Sequence, residues 1–511
     1  MQTPAASSTH AREGSPSLWR SDNALLVYIA LVTVVVHLIL GYRYGWHRDE
    51  LATLEDARHL AWGYPAYPPV TPFFGRISLE LFGLSVRGFR FFAGVAQAIT
   101  VVLAGLMARE MGARRGAQLV AAVAAVPFVL GGGYEMQYVA FDALAWVLTA
   151  YFVIKLLRTE DPRWWLGIGV GIGFGMLCKY TMGFFALSIV AGVLLTDAHR
   201  YLKSKWLWMG VALSIVIWLP NVLWQWQHSF VSLDFLSHIH ARDMREGRTA
   251  NFLPQQLMMT GLRFPLALAG LWFGFFAPNG KRFRMIGWMF VVTLLLFTVA
   301  KGRWYYMGPA YPMLYAAGSV WGEQWLTTAQ RGRAMTVRWA VWAALAFEFV
   351  FTTAFWLPAA PLNSRWWAIT NQVQGDFREQ IGWRELVQEV AKIRDSLTPE
   401  ERAHLGIIGA NYGEAGALNV YGPEYGLPRA ISGINSFWYR GYGDPPPQTL
   451  IVVGLSRHFV DEHFESCRLA GHTWNQYGIK NEETEDHPDI WVCGPPTAGW
   501  PAFWKDFRYY G

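Results

Sequence analysis

Long apolar runs recur between residues 23 and 358, separated by short polar stretches, and the pattern changes beyond that point. A membrane-spanning helix needs about 20 apolar residues. The runs predict eleven such helices, at 23–42, 88–108, 117–134, 140–157, 164–180, 182–196, 205–224, 262–278, 284–300, 304–322 and 337–358. The fifth and sixth are short and almost directly joined, so the pattern allows a tilted or broken span there. The loops after the even-numbered runs are all basic. They carry Arg109, Arg114 and Arg115; Lys155, Arg158 and Arg163; His199, Arg200, Lys203 and Lys205; Lys281, Arg282 and Arg284; and Arg331, Arg333 and Arg338. The positive-inside rule makes that face cytoplasmic. The N-terminus is then inside. The loops 43–87, 134–140, 225–261 and 300–304, with everything after 358, are outside.

The polar stretch 1–22 is rich in Ser, Ala and Thr, lacks the layout of a cleavable signal peptide, and reads as a disordered cytoplasmic tail. Residues 23–358 form the membrane domain. In its first outside loop, Leu51, Leu54, Ala57, Leu60 and Ala61 recur at helical spacing, which predicts an amphipathic helix lying along the interface. Pro65, Pro68, Pro69 and Pro72 break helical structure after it, and Ile77–Phe82 reads as a second interfacial segment. Residues 359–511 have the size of a small domain. Glu379–Ser396 has helical periodicity. Leu405–Gly409 and Thr449–Gly454 are apolar runs ending in Gly, the pattern of buried parallel strands, and Asp489–Cys493 reads as another strand. The tail is therefore a small extracytoplasmic α/β domain.

Composition agrees with a polytopic membrane protein: 53% hydrophobic and only 16% charged, where soluble chains run near 25% charged. The 27 Trp and 22 Tyr suit two aromatic interface belts. The net charge of +6 belongs to cytoplasmic loops and gives no reason to expect nucleic-acid binding. Cys467 and Cys493 lack zinc-site spacing, and an extracytoplasmic position permits a disulfide between them.

Asp49 and Glu50 open the first outside loop. They fit a general base or a substrate-binding carboxylate, and equally a helix N-cap with its charged neighbours in water. Asp142 begins the fourth span on the same side, as an intramembrane acid or, again, a cap. Lys179-Tyr180 ends the fifth span, and Lys301, Arg303, Tyr305 and Tyr306 lie between spans nine and ten. These outer cations break the positive-inside pattern. They suit an anion such as a lipid phosphate, or else snorkel to headgroups. His228, His238 and His240 invite a metal reading, but no third ligand is placed. The Gly-rich stretch 167–175 reads as close helix packing.

With these residues in place, the chain resembles the polyprenyl-phosphate-sugar-dependent glycosyltransferases of the GT-C fold. It looks like bacterial relatives of protein O-mannosyltransferases and of the lipid A aminoarabinose transferase. The resemblance covers about residues 20–358. It rests on Asp49-Glu50, the stretch Ala57–Tyr64 with Pro68-Pro69-Val70-Thr71-Pro72, Asp142, Lys179-Tyr180, and Tyr305-Tyr306 with Pro309 and Tyr311-Pro312. It implies a polytopic α-helical membrane protein of GT-C type, with about eleven transmembrane helices and the small α/β domain. It implies inverting transfer of a sugar from a polyprenyl-phosphate carrier to a lipid, glycan or protein hydroxyl, on the outer face of a bacterial cytoplasmic membrane. Asp49 matches the family's base and Asp142 its second acid, with Glu50 grouped beside them as a candidate catalytic residue. Lys179, Tyr180, Lys301, Arg303 and Tyr306 are candidates to bind the donor's phosphate. No cofactor is required, although a divalent metal is compatible. A transporter or flippase of a lipid-linked anion is the alternative, but it would place its charges near the midplane rather than at the outer ends.

Overall fold

A computed structural model describes residues 21–511; the segment read above as a disordered tail lies almost entirely outside the described residues. Each of the eleven apolar runs is helical. Helix α1 (Asp22–Leu40) starts at Ser21, whose hydroxyl accepts from Ala24 N. Then follow α2 (Arg48–Arg58), α3 (Val70–Phe82), α4 (Val86–Phe89), α5 (Phe91–Glu110), α6 (Arg115–Gly133), α7 (Tyr138–Thr159), α8 (Trp164–Met176), α9 (Met182–Leu194), α10 (Lys205–Gln227), α11 (Val231–Arg245), α12 (Phe252–Thr260), α13 (Phe264–Phe275), α14 (Arg284–Val299), α15 (Tyr311–Thr328) and α16 (Arg331–Phe355). Among the described residues, eight helical stretches are long and apolar enough to cross a membrane. Helices α8 and α9 have 13 residues each and meet at the turn Leu177–Thr181; the sharp bend, 101°, falls instead between α9 and the short helix Asp197–Lys203.

Glycine lets α8 and α10 touch backbone to backbone. A Cβ on Gly169 would fall 2.2 Å from the Gly210 carbonyl oxygen, and one on Gly210 would fall 2.2 Å from that of Trp165. Small residues allow this approach, which supplies dispersion contact that lipid offers no cheaper way to obtain.

The two faces separate by charge. On one, Lys155 and Arg158 converge on Glu110, Arg282 reaches the Arg158 carbonyl, and Arg200 pairs with Glu160. These are the basic loops. On the other, the loops 43–87, 134–140, 225–261 and 300–304 meet one another and the C-terminal domain.

That domain holds α17 (Arg365–Val373), α18 (Trp383–Ser396), α19 (Pro399–Ala403) and α20 (Tyr412–Tyr421) around a five-stranded sheet. Strands β1 (Leu405–Gly409), β2 (Ala430–Ile431), β3 (Thr449–Val453), β4 (Arg468–His472) and β5 (Asp489–Cys493) lie in the order β2-β1-β3-β5-β4. β1 pairs parallel with β2 and β3, and β5 runs antiparallel to β3 and β4. Ile407, Ile451 and Ile490 face α18 and α20; Ile408, Leu450, Val452 and Trp491 face the opposite layer. This is the period-two alternation of a sheet covered on both sides. Cys467 and Cys493 are joined by a disulfide, and Cys178 is free and buried.

Helix α2 departs from its expected interfacial position. Glu50, Leu51, Thr53, Leu54, Glu55, Asp56 and Ala57 are all buried. One continuous core runs from Phe89, Ala93 and Phe141 of the membrane domain through Leu51 and Leu54 to Leu386, Val390 and Ile451 of the outer domain. Close approach at Gly416, where a Cβ would lie 2.7 Å from that of Leu51, seats α20 on α2. The amphipathic spacing was real, but its polar face meets protein rather than water. The exposed apolar side chains come just afterwards, at Leu60, Trp62, Phe73, Leu81 and Phe82. Pro72 falls in the first turn of α3, where a missing N–H costs nothing, so the proline cluster starts a helix rather than preventing one.

Candidate active site

The N-terminus of α2 is capped by His47, whose Nδ1 accepts from Asp49 N at 3.2 Å, while Glu50 Oε2 accepts from His47 N at 3.0 Å. The capping role therefore falls to His47 and Glu50. Glu50 is fully buried. Its Oε1 also accepts from Arg90 Nε and Met136 N, each at 2.8 Å, and its Oε2 from Arg90 Nη2. With its acceptor sites occupied and no solvent access, Glu50 locks α2, α5 and the turn before α7 together. This geometry gives Glu50 a structural role beside Asp49.

Asp49 is released for other work. Its side chain is 42% exposed. Oδ1 accepts from the Tyr412 hydroxyl at 2.9 Å and Oδ2 from Gln137 Nε2 at 3.1 Å. Both partners fix the carboxylate from outside α2: Tyr412 opens α20, and Gln137 caps α7. Arg48 lies 5.1 Å over the Tyr412 ring and pairs with Glu482 and, at 3.4 Å, Glu379. Nearby, burial pushes the Glu135 carboxyl up to about 7, against the pull of His47. Burial opposes charge on His47, yet Glu135, Asp49, Asp376 and Glu50 outweigh it and raise the imidazole above its ordinary value.

Gln137 is followed by Tyr138, whose ring faces the Lys179 ammonium at 4.8 Å; Tyr306 faces it at 4.0 Å and Tyr305 at 5.4 Å. Adjacent residues have Cα atoms about 3.8 Å apart, so Gln137-Tyr138 joins the acid to a cation held in a tyrosine cage. Lys179 lies in the turn between α8 and α9. Asp142 lies one turn into α7, too far along to cap it. Its Oδ1 accepts from Trp146 Nε1 at 3.0 Å and its Oδ2 from Thr181 Oγ1 at 3.1 Å, and it acts on Lys179 through charge. Arg303 grips Asp243 with both Nε and Nη2, at 2.6 and 2.7 Å, and its Nη1 donates to the Tyr305 hydroxyl at 3.2 Å.

Asp49, Asp142, Lys179, Arg303 and Tyr306 are thus linked in one cluster. Tyr180 turns the other way: its hydroxyl joins Asn221 and Gln225 of α10. Lys301 is exposed and joins none of these contacts. His228 stacks on Trp224 and His238 meets the Tyr510 ring. Among the described residues no group of three or more His, Cys, Asp or Glu side chains could hold a metal ion. Sequence reasoning passed over Gln137, Tyr138, Asp243 and Tyr412. Tyr138 lay one turn before Asp142 and carried a signal; Asp243 and Tyr412 gain meaning only from partners 60 and 363 positions away.

The helical membrane domain, the charged cluster at one face and the small covering α/β domain define a polytopic protein of the GT-C class. The comparisons specify the relationship. The family described as dolichyl-phosphate-mannose-protein mannosyltransferase matches residues 66–224. Lipopolysaccharide core galacturonosyltransferase RgtB from Rhizobium johnstonii is 26% identical over 238 residues, covering 45% of this chain and 47% of that protein. The match thus spans about half the length of this curated relative. The crystal structure of ArnT from Cupriavidus metallidurans in its apo state superposes with a TM-score of 0.55 at 16% identity, covering 92% of this chain and 97% of that one. At that identity the likeness shows the fold, and it extends over the outer domain as well as the helices. The chain thus has the GT-C fold of ArnT and, over residues 66–224, is similar to the mannosyltransferase family.

Proposed function

We propose that this protein is an inverting glycosyltransferase that moves a sugar from a polyprenyl-phosphate carrier to an acceptor hydroxyl at the outer face of a bacterial cytoplasmic membrane. The observation that carries this reading is the join between Asp49, half-open and doubly oriented, and the caged Lys179. Asp49 removes the proton from the acceptor hydroxyl. The resulting oxygen attacks C1 of the sugar, and the bond from C1 to the phosphate oxygen breaks. The electron pair leaves with the lipid phosphate, whose extra charge Lys179 receives. Such a preorganised cation lowers the barrier because it needs no reorganisation as charge develops. Arg303 is already committed to Asp243, so its contribution is to hold the tyrosine wall and add positive field. Asp142, behind Lys179, balances that charge while the site is empty. The donor arrives activated as a lipid phosphate, so the chemistry requires no nucleotide.

The basic loops support the orientation this reading needs, with the N-terminus in the cytoplasm and the site outside. The test is Asp49→Asn in purified protein supplied with a panel of hexosyl and pentosyl polyprenyl phosphates and envelope acceptors, with release of polyprenyl phosphate followed by mass spectrometry. The variant folds, inserts and fails to release the lipid. Full release by Asp49→Asn would remove Asp49 as the base.

A further inference from the structure

A second site opens at the other end of α2, nine residues and about 14 Å along the helix from Asp49. There a cavity of about 240 Å³ lies between the last turn of α2 and the outer domain, with Glu55, Arg58, His59 and Arg429 as its polar lining. Nothing in the transfer chemistry uses these residues.

The charges around it do not balance. Arg429 pairs with Glu55 through Nη2, and its Nη1 lies 3.1 Å from His59 Nε2. Arg58 Nη1 donates to the Asn419 carbonyl at 3.2 Å and lies 3.6 Å from Glu55 Oε2. Arg440 pairs with Asp56 and reaches Glu55 at 3.9 Å. Three guanidinium groups therefore face two carboxylates. The acid is sealed while the bases are open: the Glu55 side chain is 1% exposed, Arg58 34% and Arg429 49%. The outward N–H groups of Arg58 and Arg429 present a surplus positive charge in the geometry that phosphate and carboxylate accept bidentately.

The rest of the lining is mixed. Pro423, Leu427 and Pro428 form a hydrocarbon wall. Asn419 also lines the cavity, and its buried Nδ2 has no hydrogen-bond partner among the described residues. An apolar wall with a few polar groups suits a ring with C–H faces and hydroxyl edges better than a bare ion. The volume is below the roughly 300–1,000 Å³ of drug-sized pockets, so it fits one substituted ring rather than a polymer. Just beyond the last turn of α2, Leu60 and Trp62 are 49% and 58% exposed, an apolar and aromatic pair suited to the membrane–water boundary. The cavity is therefore within reach of a headgroup as well as a soluble glycan.

We propose that this cavity binds an anionic sugar, a ring bearing a phosphate or a carboxylate, and docks the acceptor while a distant hydroxyl reaches Asp49. The docking role rests on the transferase reading; the binding does not.

The test is titration calorimetry on the full chain in phosphatidylcholine nanodiscs, with glucose 6-phosphate, glucuronate, glucose and inorganic phosphate as probes. An anionic sugar binds about tenfold or more tightly than glucose or phosphate, and salt weakens it. Arg58→Gln and Arg429→Gln each reduce affinity about tenfold. Because Arg429→Gln also leaves Glu55 short of a partner, Pro423→Trp supplies a second arm: it fills the exposed mouth without touching a charge, and abolishes binding at unchanged melting temperature. Phosphatidylglycerol nanodiscs separate the sources: undiminished sugar binding keeps the sugar as occupant, whereas displacement by the lipid at equal strength replaces it with a general anion site and overturns the proposal. So does equal binding of glucose, absence of anionic-sugar binding, or indifference to Arg429→Gln and Pro423→Trp. Asp49→Asn leaves binding intact, so failure of the base assignment and failure of this cavity are read separately.

Discussion

Replacing Tyr412 by Phe removes one hydroxyl and keeps the ring. The ring's packing beneath Arg48 at 5.1 Å is preserved, so the outer domain stays docked. What is lost is the 2.9 Å hydrogen bond to Asp49 Oδ1. A hydrogen bond to a charged group is worth about 1.5–3 kcal/mol. The Asp49 side chain is 42% exposed, so water replaces part of that bond. Gln137 still holds the second oxygen. About 1 kcal/mol of orientation is then lost, and at about 1.4 kcal/mol per factor of ten the rate falls roughly fivefold. The loss belongs in kcat, because Tyr412 orients the base and does not touch the donor's phosphate region. The assay is polyprenyl-phosphate release at saturating donor, with KM measured in parallel and melting temperature as a folding control. An unchanged kcat, or a loss confined to KM, would refute the orienting role. A loss as deep as that of Asp49→Asn would assign the tyrosine a direct chemical part.

Glu50→Gln tests the separation of two adjacent acids. It leaves Arg90 buried and charged without its counter-ion, which costs about 3–5 kcal/mol; thermal unfolding in detergent shows a marked loss of stability that Asp49→Asn does not share. The outer domain carries a pH dependence of its own. Burial, then repulsion from Glu483, pushes the Glu414 carboxyl up to about 8, and burial pushes Glu483 up to about 7, with Arg48 opposing both. Folding therefore binds protons that the unfolded chain releases near 4.5. Stability is greatest below that value and falls as pH rises toward about 8. Melting temperatures between pH 5 and 9 decline accordingly, and Glu414→Gln flattens the slope; a wild-type profile that rises with pH contradicts the assignment.

The membrane helices were legible because each burial demand repeats along a single segment. Apolar length marked every run, and the directly joined pair at 164–196 marked two short helices meeting at a turn. The central strands were legible for the same reason, as short apolar runs ending in Gly. The two-residue strand β2 and the exposed strand β4 carry no such run and were missed. At the site, Asp49 and Lys179 stood out as charges in unexpected places. Their partners did not, because a tyrosine or glutamine at a helix start is unremarkable until another element approaches it. Glu50 shows the converse: composition equated it with Asp49, and only the position of Arg90, just before α5, distinguishes a sealed carboxylate from an open one.

Helix α2 is the element on which these readings converge. Its mean character is polar, yet both its sides are covered, and Leu51 and Leu54 are fully buried between the two domains. Burying each such side chain is worth about 1.5–3 kcal/mol, and neither domain alone would provide the covering. The domain after residue 358 is thus no separable appendage. It supplies the hydroxyl that orients Asp49 at the start of α2 and the Arg429 that meets Glu55 near its end. A helix held this way places two sites at a fixed separation of about 14 Å, which is set by helix rise rather than by loop conformation. A transferase whose acceptor is docked at one point and attacked at another needs such a rigid rule, and a buried helix provides it with little freedom to vary.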